Sequence, residues 1–115
     1  METKQAVQAL GALAQDTRLG IFRLLVQAGP EGMAAGQIGE KLDLAPATLS
    51  FHLAGLVRAG LAASRQDGRF VIYSADFQAM NALVGFLSEN CCGGRACAPS
   101  TGEQNETLPR TRRSA

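Results

Sequence analysis

No stretch of the 115 residues holds the ~20 consecutive apolar positions that a bilayer-crossing helix needs. The N-terminus, Met1-Glu2-Thr3-Lys4-Gln5-Ala6, lacks the basic start and continuous apolar stretch of a secretory signal. The expectation is a cytoplasmic protein with reduced thiols and no membrane partner. Net charge is scarce: 11 basic against 10 acidic side chains leave +1, so charge alone announces no nucleic-acid partner. There is one histidine, His52, and no internal repeat. Cysteine is absent up to Asn90 and then occurs three times, as Cys91, Cys92 and Cys97. An odd, clustered set in a reducing compartment argues against a disulfide framework.

What is present fits one small domain. Hydrophobic residues make up 46% of the chain, enough for a modest core that leans on oligomerisation. Val7, Leu10, Leu13 and Ala14 recur at helical spacing. Asp16 is placed to cap a second helix, whose apolar face is Ile21, Phe22, Leu24, Leu25 and Val26 and which stops at Ala28-Gly29-Pro30. A third helix is expected from about Ala34 to Leu42, followed by a break at Asp43-Leu44-Ala45.

The fourth helix carries most information. Pro46 suits a first helical position, where its missing N–H costs nothing. Leu49, Leu53, Leu56 and Val57 form one stripe to be buried. Ala47, Thr48, Phe51, Gly55 and Arg58 fall on the opposite face, with Ser50 and His52 on the flanks, and Gly60 is placed to end the helix in a left-handed turn. Two strands, Leu61 to Gln66 and Arg69 to Ser74, then flank Asp67-Gly68, a dipeptide that fits a tight turn. A fifth helix from about Asp76 to Asn90 has Met80, Leu83, Val84 and Leu87 as its stripe, with Phe86 beside it. This order predicts a mainly α fold with a β-hairpin wing, a winged helix-turn-helix. Residues 1–92 form the expected DNA-binding and dimerisation domain, and 93–115 a flexible tail, rich in small polar residues, that holds the third cysteine.

Three thiolates are a soft donor set, which selects thiophilic ions over magnesium or calcium. Three also fits a three-coordinate As(III) or Sb(III) centre, whereas structural zinc usually takes four protein ligands. Adjacent helical side chains point about 100° apart, so Cys91 and Cys92 share a centre only where the helix gives way. Gly93-Gly94 permits that and lets the chain turn so that Cys97 adds a third sulfur. The plainer reading is that Cys91 and Cys92 finish an apolar helix face; a third cysteine beyond a glycine hinge counts against it.

The segment Ala45-Pro46-Ala47-Thr48-Leu49-Ser50-Phe51-His52-Leu53-Ala54-Gly55-Leu56-Val57-Arg58-Ala59-Gly60-Leu61 resembles the recognition helix of the ArsR/SmtB family of metal-sensing repressors. Asp16-Thr17-Arg18-Leu19 is similar to the family's second-helix opening, and Asp67-Gly68-Arg69 to its wing. The resemblance covers about Val7 to Cys92. It implies a homodimer that binds operator DNA near a resistance operon and is released by an inducer. Many arsenic sensors of the family carry cysteines in the helix before the recognition helix, and Gln37 to Leu44 has none. Phe77 to Asn90 also lacks the histidine and aspartate of the zinc sensors. The inducer site is therefore expected at the C-terminal cysteines, with As(III) or Sb(III) as inducer and no organic cofactor.

On such a helix Thr48 and Ser50 can bond base edges or phosphates, Phe51 can meet a thymine methyl, and His52, beside Ser50, is expected to share in DNA contact. Gln37, Arg65 and Arg69 would contact phosphate or the minor groove; solvated surface charge is the ordinary fate of such arginines. The first and fifth helices have no part in DNA reading, so Val7, Leu10, Leu83, Val84 and Leu87 are the expected dimer surface. Alternatives keep the fold and sense cadmium, lead, zinc or thiol oxidation. An enzyme is not expected: a cysteine-dependent arsenate reductase needs an anion-binding loop around its thiolate, and none is visible here.

Overall fold

The computed structural model describes residues 1–94; Cys97 and the rest of the expected tail lie outside the described residues. Five helices are seen there: α1 Thr3–Leu13, α2 Asp16–Ala28, α3 Ala35–Leu42, α4 Pro46–Arg58 and α5 Phe77–Ser88. Three strands, β1 Met33–Ala34, β2 Ala62–Asp67 and β3 Phe70–Ala75, form one antiparallel sheet in the order β1-β3-β2. The expected winged helix-turn-helix is present, with β1 added. No helix among the described residues is long and apolar enough to cross a membrane.

Helix boundaries follow local chemistry. The Gln15 side chain, not Asp16, caps α2, its oxygen accepting the Arg18 N–H at 2.8 Å. Asp16 falls instead in the first turn, where its charge complements the helix dipole. Asp76 caps α5 by accepting the Ala79 N–H at 3.0 Å. At the end of α4 the chain turns through Gly60, φ +79. There the Leu61 N–H bonds the Leu56 carbonyl at 3.0 Å and the Gly60 N–H bonds that of Val57 at 3.0 Å, a Schellman pair that buries Leu61 beside Leu56. The hairpin turn sits one residue later than its sequence implies. Asp67 pairs with Phe70, so Gly68 and Arg69 are the two central residues, and Gly68 takes the positive φ of 62°.

Ile21, Leu25, Ile38, Leu53, Leu56 and Leu61 are fully buried and join α2, α3, α4 and the start of the sheet into one core. One stripe, on α4, differs from expectation. Helix α1 buries Ala6, Ala9 and Ala12 and turns Val7 and Leu10 outward. Methyl side chains let α1 lie close on α2 and α4, which is why the smaller residues won that face. On α4, Val57 is exposed and Gly55 is buried, the reverse of the sequence reading, because the helix packs on α2 as well as on the core below it.

Strand β1 has no sequence signature. It exists because Met33 and Ala34 pair with Tyr73 and Ile72 along the open edge of β3. Gly32, φ +74, brings the chain onto that edge, and a Cβ there would run into the Tyr73 carbonyl. Gly32→Ala is expected to cost about 1–2 kcal/mol from the left-handed backbone alone, and more from that clash. Urea unfolding measures it, and an unchanged midpoint would show that β1 pairing tolerates a side chain at this position.

Candidate nucleic-acid interface and thiol site

Helices α3 and α4 meet across the turn 43–45, where Asp43 takes a left-handed φ of 55° and ends α3. The outer face of α4 exposes Thr48, Phe51 and Arg58, with Ser50 exposed on its flank, the side that a second helix offers to a major groove. Phe51 is 61% exposed, so its ring is not part of the core. His52 is half-buried on the flank of the same helix.

The neighbour that organises this face is Arg18, which sequence reasoning passed over as part of the α2 opening. Its Nε–H donates to His52 Nδ1 at 3.1 Å, and its guanidinium carbon lies 5.4 Å from the Phe51 ring centroid. The Phe51 and His52 rings meet edge to face at 5.4 Å. Gly55 makes room for the guanidinium: a Cβ there would stand 2.8 Å from the Arg18 Cζ. A glycine in the middle of a helix, where it costs ~1 kcal/mol against alanine, was the available signal.

The other expected DNA contacts spread along one side of the fold. Gln37 is exposed, and its side-chain oxygen accepts the Ala34 N–H at 3.3 Å, stapling the start of α3 and leaving its NH2 group for other partners. Arg65 reaches back from β2 to donate to the Glu31 carbonyl at 2.8 Å, bracing the wing against the α2–β1 loop. A guanidinium has five N–H donors, so this bond leaves Arg65 several more. Arg69 stands exposed at the hairpin tip, which the Gln66 side chain stiffens by donating to the Gly68 carbonyl at 3.0 Å.

Among the expected dimer residues, Val7 is 63%, Val84 59% and Leu87 62% exposed, and Leu10 is exposed as well. Leu83 is a correction. It is only 7% exposed and belongs to the protomer's own core, because α5 rests on that residue while its next turn faces outward.

The cysteine pair is also placed differently from expectation. Helix α5 ends at Ser88, whose Oγ donates back to the Val84 carbonyl at 2.9 Å, so Cys91 and Cys92 lie beyond the helix rather than at its end. They open a short kinked turn, Cys91–Gly94, entered through Asn90 at φ +56. Cys92 and Gly93 are both left-handed there, and this swings the two sulfurs to 3.6 Å apart. Two thiolates bound about 2.3 Å from one tetrahedral ion would sit about 3.8 Å apart, so the pair has chelating spacing. Among the described residues no three histidine, cysteine or acidic side chains gather into a larger donor set.

A helix-turn-helix domain family model matches residues 13–65, the span from the end of α1 into β2. YceK of Bacillus subtilis, named as an uncharacterised HTH-type transcriptional regulator, is 40% identical over 62 residues, 54% of this chain and 61% of that protein. The transcriptional activator HlyU of Vibrio cholerae is 31% identical over 88 residues, 76% of this chain and 79% of that protein. A solved structure of HlyU superposes with a TM-score of 0.63 and 31% identity, covering 80% of this chain and 99% of that one. The homodimeric winged helix-turn-helix DNA-binding domain of Mb0332 from Mycobacterium bovis is described as that of a possible ArsR-family regulator. It superposes with a TM-score of 0.60 and 26% identity, covering 80% of this chain and 85% of that one. With its α3–α4 unit, its wing and this similarity to HlyU over most of both chains, the protein belongs to the ArsR/SmtB family of transcriptional regulators.

Proposed function

We propose that the protein is a cytoplasmic transcriptional repressor that holds operator DNA as a homodimer and lets go when As(III) or Sb(III) binds the thiolates of Cys91, Cys92 and Cys97. The observation that carries this reading is the 3.6 Å approach of the Cys91 and Cys92 sulfurs in a turn built from left-handed residues. As(OH)3 takes three thiols and releases three waters, each departing hydroxyl carrying off a thiol proton, so no protein base is needed. The pair supplies two of the three sulfurs, and Cys97 lies five residues further on, across Gly93 and Gly94.

Release would work through α5. The thiol turn follows directly from that helix, whose outer residues Val84 and Leu87 are candidates for the surface shared with a second protomer. Pulling a third sulfur onto the pair strains the end of α5 and changes how the two DNA-reading units are held. Coupling of this kind is commonly worth ~1–3 kcal/mol, or about 5–150-fold in operator affinity.

The test is a gel shift on the promoter upstream of the protein's own gene, with and without arsenite. Wild type is expected to release the DNA, and Cys97→Ser and Cys91→Ser/Cys92→Ser to stay bound at the same arsenite concentration. Full release from the triple serine variant would end this reading. A second reading keeps the site and replaces the inducer with thiol oxidation; a structure of HlyU in its reduced form gives it a basis. Release by peroxide, with no effect of arsenite, would favour it, and titration with cadmium, lead and zinc covers the remaining ions.

A further inference from the structure

The pairing of Arg18 with His52 fixes more than a distance. An arginine side chain can only donate hydrogen bonds, so the imidazole nitrogen facing Arg18 Nε at 3.1 Å must be the unprotonated one. In the neutral ring the proton then sits on Nε2, and His52 has one N–H donor left to offer. We infer that Arg18 is a positioning residue for DNA reading: from α2 it selects the His52 tautomer and ring orientation on α4, so that this helix presents an N–H donor to the operator. The inference rests on α4 being the helix that meets DNA.

Three observations make this a built arrangement rather than a chance contact. Arg18 and His52 are 34 positions apart and on different helices, so local chain geometry does not force them together. Gly55 is buried, with nothing but hydrogen where a Cβ would collide with the guanidinium. The same guanidinium also lies over Phe51, the exposed ring beside His52, so one cation holds two neighbouring side chains of the outer face.

The chemistry of the partner follows. A lone N–H donor matches base-edge acceptors in the major groove, such as guanine N7 and O6, adenine N7 or thymine O4, or a phosphate oxygen. The opposite tautomer, or a ring rotated away from Arg18, would present a lone pair there and be repelled by the same acceptors. Arg18 thus acts on sequence discrimination through His52 without touching a base.

His52 is the only histidine, so its ring can be followed without ambiguity. Two-bond proton–nitrogen spectra of the DNA-free protein in mildly alkaline buffer are expected to show Nε2 protonated and Nδ1 bare. Gly55→Ala keeps the Arg18 charge and favours helix, yet pushes the guanidinium off His52. It is expected to shift the ring toward a mixture of tautomers. Binding to a scrambled duplex should stay within about twofold of wild type, while discrimination for the promoter falls roughly tenfold. Arg18→Gln is expected to shift the tautomer in the same way and serves as the test should Gly55→Ala fold poorly by circular dichroism. An unchanged nitrogen spectrum in the folded variants would overturn the positioning role. A changed spectrum with unchanged discrimination would overturn its link to sequence reading. Failure of wild type to bind either duplex would instead remove the assignment of α4 as the DNA helix, leaving the spectroscopic result standing by itself.

Discussion

Val84→Glu combined with Leu87→Glu is expected to yield a folded monomer that binds promoter DNA about 10²–10⁴-fold more weakly than wild type, the loss that follows when two linked sites become one. Both side chains are well exposed on α5, so replacing them removes no core packing. Val7 and Leu10 on α1, a helix in contact with α5, are exposed as well and are expected to belong to the same shared surface. In a twofold dimer each new charge meets its own copy or a neighbouring apolar patch, and an unpaired carboxylate in such a place is costly to desolvate. Sedimentation or light scattering reads the assembly and a gel shift reads the affinity. A variant that remained dimeric at micromolar concentration would put the shared surface elsewhere. Leu83→Ala makes a useful contrast: it should lower stability, since Leu83 is buried within the protomer.

Leu56→Ala is expected to be the most damaging conservative change in the core, at about 2–5 kcal/mol. Leu56 is fully buried, sits among Ile21, Leu25, Ile38 and Leu53, and packs against Leu61, whose N–H closes the end of α4 on the Leu56 carbonyl. Truncating it opens a cavity at the point where the DNA-reading helix, α2 and the sheet meet. Small domains have only about 5–15 kcal/mol of stability, and each kcal/mol is worth about 4–8 °C in Tm. The next residue supplies the control: Val57→Ala, on the exposed side of the same helix, is expected to change stability by about 0.5 kcal/mol or less. Both should be melted at one protein concentration, because dimerisation adds to apparent stability. Equal melting temperatures for the two variants would contradict the burial pattern of α4.

The element order, the start of α4 at Pro46, its end at Gly60 and the paired strands were legible because each depends on one or a few neighbouring residues. Proline lacks an N–H wherever it stands, and glycine turns left-handed at little cost. The proposed soft-donor role of Cys91, Cys92 and Cys97 likewise starts from residue types and spacing.

Facing was different. Periodicity says which residues share a side of a helix, but not which side finds a partner. Val7 and Leu10 are more apolar than Ala6 and Ala9, yet the alanines went inside because a close helix approach rewards small side chains. Leu83 and Val84 adjoin in one stripe and part ways where α5 leaves the core. Strand β1 depends on an open edge supplied by residues about 40 positions further along, and no pattern within Met33–Ala34 encodes it. The Arg18–His52 bond, with Gly55 as the space that admits it, is likewise a product of two helices crossing. Local chain chemistry determined the elements, and only their packing decided which side chains of those elements meet.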